Sequence, residues 1–482
     1  MSEPGVTVIR GAEWVVAWDA AQDSHVYLRD VDVAFAEGRF VHVGPGYAGD
    51  AAATLEGRGR MVMPGLIDIH SHPASEPGNK GLLEELGSPR LGQSSLYEFM
   101  PVFRLPPEAA PAATRVAVAE MLKSGVTTMV DLSGARDGWA ELLAETGIRA
   151  VLCPMYRSAS WRTTNGHSVE YQWDEAAGER AFAAALDTVD RARRHPSGRV
   201  DGMLGPAQLD TCSAGLLRDS LAEARRRGMK LQIHAAQSLV EFEQIVRRHG
   251  RTPIEHLDDL GLLGPDTILG HAIFLNDHPM LHWPEADDFA RLRASGAAVA
   301  HCPTVFCRRG IALNTLHRYA AAGITLGLGT DTFPHNLIEE MRHACLFARV
   351  AARAFTAGST AEAFSAAPVG GARALGRDDL CRIAPGTQAD FSLVDLTDPW
   401  MRPLRDPLRS LVYSAAERPL RDVFVAGEQA VRDGRPLHID LDAALDALQG
   451  YQAQTIAGVQ ERDWAGRTID QMSPTVFPLQ AP

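Results

Sequence analysis

The feature that most limits how this chain can fold is an alternation through its middle. Eight short apolar runs are separated by Ala-, Arg- and Glu-rich stretches long enough to be helices. The runs are Val62–His70, Val126–Leu132, Arg149–Met155, Gly202–Leu209, Lys230–Ala235, Ile268–Phe274, Ala298–Pro303 and Thr325–Asp331. The stretches between them include Pro111–Lys123, Glu175–Arg194, Ala214–Arg227, Leu239–His249 and Glu285–Ala294. Near-continuous apolar strands belong to sheets covered on both faces, and the intervening helices supply that cover. Eight βα units predict an α/β fold, a closed (β/α)8 barrel of TIM type, over residues 61–379.

The two ends differ from the middle. Residues 1–60 hold short strand candidates at Val6–Ile9, Trp14–Trp18, Val31–Ala36 and Phe40–Val43, separated by turn residues. Residues 380–435 repeat that character at Phe391–Asp395, Leu411–Tyr413, Val423–Val425 and Gln429–Val431. The chain is therefore expected to leave and re-enter one small β-sandwich domain, 1–60 with 380–435. Residues 436–482 read as a helix, Asp442–Ile456, and a polar tail. Two connections are unusually long, 73–107 after the first strand and 157–174 after the third. Such loops at the C-terminal face of a barrel shape binding sites.

Composition removes several function classes. Hydrophobic residues make up 45% and charged residues 22%, so the chain is not disordered. The net charge is −13 and no long Lys/Arg run exists, which argues against nucleic acid. Arg191–Arg194 and Arg225–Arg227 read as exposed helix faces. No apolar stretch approaches the ~18 residues of a membrane span, and Met1–Gly5 does not open a signal peptide. Six scattered cysteines, Cys153, Cys212, Cys302, Cys307, Cys345 and Cys381, suggest no disulfide framework and point to the cytoplasm.

Chemistry collects at the strand ends. The first run closes on Asp68-Ile69-His70-Ser71-His72, and residues two apart on a strand share a side. The fifth run ends at His234, the sixth at His271 and the eighth at Asp331. All lie where barrel enzymes place their active groups. Tyr156, Trp161, Phe274, Phe306 and Phe333 are aromatic candidates for the pocket wall, although core packing accounts for any one of them. Arg308 and Arg309 read equally as a carboxylate-binding pair or an exposed turn.

These residues resemble the amidohydrolase superfamily. Pro64-Gly65-Leu66-Ile67-Asp68-Ile69-His70-Ser71-His72 is similar to its PGxIDxHxH motif, and Gly329-Thr330-Asp331 to its final barrel aspartate. Gly270-His271, His301-Cys302-Pro303-Thr304 and Thr330-Asp331 look most like the triazine hydrolase and cytosine and guanine deaminase branch. The similarity runs from about residue 6 to residue 435. It implies one divalent metal ion on His70, His72, His234 and Asp331, with Asp331 and His271 catalytic. Three imidazoles and a carboxylate suit Zn²⁺, with Fe²⁺, Co²⁺ or Mn²⁺ as alternatives. The resemblance further implies that Asp331 accepts a proton from water and that His271 polarises a carbonyl. The fourth run, Met203–Asp210, lacks the lysine that bridges two metals in other branches. A homo-oligomer acting on a small molecule is also implied.

Two departures stand out. The branch carries HxxE after the fifth strand, and this chain has His234-Ala235-Ala236-Gln237. A glutamine hydrogen-bonds but does not transfer protons as an acid or base. Glu241 and Glu243 follow on a helix and read as a solvated face. Gln208, in Pro206-Ala207-Gln208-Leu209-Asp210-Thr211-Cys212-Ser213, stands near the usual place of a histidine. Both losses favour hydrolysis of a C–N bond in an amide, urea, carbamate or thiocarbamate, as in phenylurea and molinate hydrolases. Gln237, Gln208, His301, His335 and Trp161 are the substrate-binding candidates. A hydrolytic deaminase or dehalogenase of an amino- or halo-heterocycle is the alternative, and a non-catalytic metal-binding barrel the lesser one.

Overall fold

The computed structural model describes residues 5–311 and 316–479. The first four residues, on which the signal-peptide expectation partly rests, and the last three of the tail lie outside the described residues.

Each of the eight apolar runs overlaps a strand, the fourth only at Gly202 and at the two-residue strand Gly205–Pro206. The strands are β1 (Leu66–Ser71), β2 (Val126–Ser133), β3 (Arg149–Tyr156), β4 (Val200–Gly202), β5 (Leu231–Ala235), β6 (Thr267–His271), β7 (Ala298–His301) and β8 (Leu326–Leu328). Strands β4-β3-β2-β1 form one parallel array and β5-β6-β7-β8 a second. Single parallel bridges join the arrays at both seams: Ser71 with Asp331, Leu204 with Leu231, and Gln208 with His234. The ladders are thus continuous within each array and reduced to bridges between them. Helices follow where the alternation places them, at Ala110–Lys123, Glu175–Arg193, Ala214–Arg227 and Leu239–His249. Ser213 and Ser238 cap two of these helices by accepting a backbone N–H, and Gly228 and Gly250 end them in left-handed backbone.

The chain ends build two further sheets. One has four strands in the order Arg39–Gly44, Val31–Ala36, Thr7–Ala12, Ala53–Glu56. The other has seven and pairs Phe391–Asp395 with Leu420–Val425 and with Arg60–Pro64. Ile9, Val33, Phe35, Phe391 and Phe424 fill the space between them, with Phe391 stacked on Phe424 at 4.6 Å. The packing is sandwich-like.

Several expectations are corrected. The run Val62–His70 is two strands: Arg60–Pro64 joins the small sheet, and β1 joins the barrel strands. Gly65 makes the crossing, because a Cβ there would stand 2.1 Å from Thr127 Oγ1. Leu411–Tyr413 is a helical turn, Leu411–Ala415, not a strand. Asp406 caps the helix Pro407–Ser410, and the turn prolongs it; a short apolar run alone does not discriminate the two. Loop 157–174 contains a hairpin pairing Ala159–Arg162 with Glu170–Trp173.

The C-terminal segment is more ordered than a helix and tail. Helix Leu441–Ala457 is followed by Val459–Arg462 and Ile469–Met472. Val459 and Met472 are buried with Leu82, Phe99 and Phe103 of the long loop 73–107. Gln452 Nε2 donates to the carbonyls of Gly78 and Lys80, at 2.8 Å each. The C-terminus therefore braces the long loop. Among the described residues, no helix is long and apolar enough to cross a membrane.

Candidate metal centre

Non-glycine residues in left-handed backbone at the strand ends include His271 (φ +85°) and Asp331 (φ +59°). Such strained turns re-aim side chains and gather at functional sites. Beside them two glycines make room for one ring. A Cβ at Gly270 would lie 2.9 Å from His70 Cε1, and one at Gly329 would lie 2.7 Å from His70 Cβ.

Three imidazoles are oriented by carbonyl oxygens. His70 Nδ1 donates to Gln232 Oε1 (2.5 Å), His72 Nδ1 to Leu132 O (2.7 Å) and His234 Nδ1 to Ala207 O (2.6 Å). Gln232 is itself held by donating from Nε2 to Ile69 O at 2.9 Å. A carbonyl accepts only, so each Nδ1 carries a proton, and in the neutral rings Nε2 is left as the ligand atom.

Those Nε2 atoms converge. His72 Nε2 lies 3.2 Å from His234 Nε2 and 3.2 Å from Asp331 Oδ1. His70 Nε2 lies 3.6 Å from Asp331 Oδ1, and His271 Nε2 3.9 Å from Asp331 Oδ2. The ligand atoms of His70, His234, His271 and Asp331 all fall within 4.8 Å of one another, a potential metal site. Around tetrahedral zinc, with bonds of ~2.0–2.1 Å, neighbouring ligands stand roughly 3.3–3.4 Å apart. The His72, His234, His70 and Asp331 spacings fit that figure more closely than His271 does. His70 Nε2 is buried and without a hydrogen-bond partner, which suits a metal-ligand atom.

Electrostatics agree. Burial works against charge on His72, but Asp331 outweighs it and holds the imidazole up at about 9, so without a cation beside Asp331 its Nε2 carries a proton that metal binding would displace. Burial also opposes charge on Asp331, yet His70 and His72 hold its carboxyl well below the usual range. The site thus favours positive charge beside Asp331. Burial keeps His271, His301 and His335 neutral, each pushed down to about 3. Asp68 ties the β1 and β8 ends together, accepting from His70 N (3.2 Å), Thr330 N (3.1 Å) and Thr330 Oγ1 (2.7 Å).

The other candidates divide. Gln237 is buried, and its Nε2 has no partner. Gln208 is buried beside His234, its Oε1 accepting from Thr211 Oγ1 at 3.0 Å. His301 closes β7, and Phe306 packs edge-on against His271 at 4.8 Å. Trp161 stands on the hairpin against Tyr97 (5.2 Å), whose hydroxyl bonds Ser238, the neighbour of Gln237. His335 is wholly buried, its Nδ1 bonded to Thr330 Oγ1, so it backs the β8 end. Tyr156 does not join the pocket wall: it is buried, with its hydroxyl on Ser220.

Sequence reasoning missed three groups. Gln232 orients His70, and its position two residues before His234 on β5 was a usable signal. Glu241 is not on a solvated face. It is fully buried and accepts from the backbone N–H groups of Ala236 and Gln237, at 2.8 Å each. Glu76 follows His72 in the long loop, its N–H bonded to His72 O (3.1 Å) and its carboxyl 1% exposed. Nothing periodic marks it. Arg309 turns inward to Val305 O (2.5 Å) and Ser95 Oγ.

The profile of the amidohydrolase family matches residues 61–430, a span containing all five rim residues. The chain belongs to the amidohydrolase family. A 5-methylthioadenosine/S-adenosylhomocysteine deaminase of Natronomonas pharaonis is 29% identical over 426 residues, covering 87% of this chain and 92% of that relative. An adenosine deaminase from Xanthomonas campestris, solved with bound zinc, aligns with a TM-score of 0.81 at 25% identity, covering 94% of this chain and 99% of its own. Atrazine chlorohydrolase from Arthrobacter aurescens TC1, complexed with zinc, has a TM-score of 0.77 at 23% identity, with 92% and 100% covered, and shows the likeness of fold. This amidohydrolase shares the fold of the two solved structures, and its own histidine–aspartate cluster lies at the strand ends.

Proposed function

We propose that this amidohydrolase is a metal-dependent hydrolase that cleaves a C–N bond of a small amide, urea or carbamate. The single observation that carries the reading is the orientation of His70, His72 and His234. Three separate carbonyls pin three Nδ1 atoms and leave three Nε2 atoms facing Asp331. These four residues are the proposed metal ligands, and the donor set suits zinc. Bound there, a divalent ion supplies Lewis acidity, making water nucleophilic near neutral pH and polarising a carbonyl. Asp331, kept ionised, accepts a proton from the attacking water and passes it to the leaving nitrogen. His271, kept neutral, offers an N–H to the oxygen that gains charge. Gln237 presents an amide donor to the substrate, with Gln208 and His301 as further polar contacts and Trp161 with Tyr97 as an apolar wall.

The seam bridges support closure of β1–β8 as a complete (β/α)8 barrel. The proposed units are 61–379 for the barrel, 1–60 with 380–435 for the sandwich, and 436–482 as the brace. Exposed Leu346, Val350 and Phe355 support a homo-oligomer, and six free cysteines support a reducing cytoplasm.

A second reading is hydrolytic deamination of an amino-heterocycle, favoured by the deaminases among the relatives. Mass spectrometry of products from zinc-loaded protein, incubated with ureas, carbamates, amides and amino-heterocycles, separates the two. Two fragments are expected. An intact ring with oxygen in place of an amino group would establish the second reading instead, and no turnover of any class by zinc-loaded protein would overturn both.

A further inference from the structure

Glu241 does more than its helix requires. Ser238 already caps the helix Leu239–His249 by accepting Glu241 N at 3.0 Å, so the first turn needs no buried acid. Yet Glu241 is 0% exposed and its side chain turns back on the end of β5. Oε1 accepts from Ala236 N and Oε2 from Gln237 N, at 2.8 Å each. Burial, and then Asp210, push this carboxyl up to about 8, while the two N–H groups draw it down. In either form each oxygen keeps a lone pair for its N–H.

The turn held in this way is braced from three directions. Ala236 stands in left-handed backbone (φ +51°), and two successive N–H groups meet one acceptor pair. Ala236 O accepts from Ile273 N and Phe274 N, just past β6, at 2.9 Å each. Ser238 Oγ meets Tyr97 OH at 2.7 Å, and Tyr97 packs on Trp161. The residue in the middle of the turn is Gln237, three past His234. It is 8% exposed, and its Nε2 is buried without a partner. A buried donor left unpaired carries a penalty that an acceptor on a ligand removes. A main chain fixed on both sides of Gln237 limits where that donor can point.

We propose that Glu241 is a positioning residue: by clamping the N–H groups of Ala236 and Gln237 it holds the Gln237 amide ready to donate to a carbonyl oxygen of the substrate. Glu241 acts through Gln237 and does not itself touch the substrate. The inference rests on the C–N hydrolase reading, in which Gln237 is a substrate contact, and deepens it.

Two measurements on the full zinc-loaded chain test this, and neither needs turnover. The first needs no ligand. In protein made with isotope-labelled glutamine, the Gln237 side-chain amide is identified in the NMR spectrum by its absence from Gln237→Met. Glu241→Gln keeps volume but offers one acceptor oxygen instead of two, and is expected to shift or broaden that resonance. Glu243→Gln, at an exposed position of the same helix, is expected to leave it in place. The second is a double-mutant cycle with phenylurea, whose ring suits the Trp161 and Tyr97 wall and whose carbonyl suits Gln237. By saturation-transfer NMR, Glu241→Gln is expected to weaken phenylurea about fivefold in the wild-type background and to change it little in the Gln237→Met background. An acid with a merely structural role would weaken both backgrounds alike. Glu241→Asp, which keeps both oxygens and shortens their reach, carries both measurements if Glu241→Gln does not fold. An unmoved Gln237 resonance, or equal losses in the two backgrounds, would overturn the positioning role. A resonance that moves as expected in a protein that does not bind phenylurea would uphold the clamp and count against the C–N hydrolase reading.

Discussion

The rim and the cover above it are held in different ways. Rim residues are fixed by adjoining strands: His234 by Ala207 across the β4–β5 seam, and Asp331 by its N–H on His70 O at 2.7 Å across the β8–β1 seam. Cover residues are fixed by partners far away in the chain. Gln452 reaches Gly78 and Lys80, Arg462 donates to Val102 O (2.8 Å), and Trp464 and Arg467 both bond Glu98 (3.1 and 2.8 Å). The rim is thus backbone register with side chains attached, whereas the cover is a docked surface. Under the proposed function this separates chemistry from selection: damage to the rim is expected to remove the reaction, and damage to the cover to change how the substrate is held.

The comparison breaks first if rim residues prove dispensable. His234→Ala is expected to lose stoichiometric zinc by elemental analysis, and Asp331→Asn to fold normally while turnover falls at least ~10²–10³-fold. Normal turnover in the second variant would remove Asp331 from its proposed role. Deleting residues 441–482 is the matching test of the cover. Turnover is expected to fall by about 10²-fold, as for misplaced binding groups, while zinc content stays near wild type. Loss of zinc as well would show that rim and cover are one unit.

Gln232→Ala sharpens the rim side. It frees the His70 ring, and zinc affinity by competition with a chelator should drop roughly 10–100-fold. The framework behind the rim is tested by Glu340. Burial pushes this carboxyl up to about 8, despite the N–H of Thr304 at 3.2 Å. Between the ordinary carboxylate range and about 8, the unfolded chain gives up the proton that the folded chain keeps. Stability should therefore fall as pH rises through that window and level off above it. Glu340→Gln should flatten that fall in denaturation midpoints from pH 5 to 8.5. An unchanged slope would place the titration elsewhere. The smallest effect is expected for Gln452→Ala, about 1 kcal/mol in stability, with KM raised and kcat nearly constant.

Most of the rim was legible in the sequence. His70 and His72 are two apart on one strand, so they share a side wherever that strand goes. His234, His271 and Asp331 each close an apolar run, and strand ends of a parallel array face one way. The eight runs and most of the helices between them followed from periodicity, because burial on both faces leaves a continuous apolar signal. Two local readings failed for local reasons. Leu411–Tyr413 is too short to distinguish helix from strand. Glu241 carries a charge that ordinarily marks a helix surface, and only the loop folded back over it makes it an acceptor for Ala236 and Gln237.

What the sequence determined by itself was whatever depends on neighbours a few positions away: strand and helix periodicity, the side on which each ligand emerges, and the absence of a proton-transferring group at Gln237. What tertiary structure alone decided was whatever depends on docking. It split Val62–His70 between two sheets at Gly65, turned Arg309 inward to Ser95, and pressed the C-terminal segment onto loop 73–107. It also buried Glu76 at the mouth. Local spacing sets direction along a strand, but burial of a loop carboxylate is set by surfaces that arrive from hundreds of residues away, and no period in the chain records their arrival.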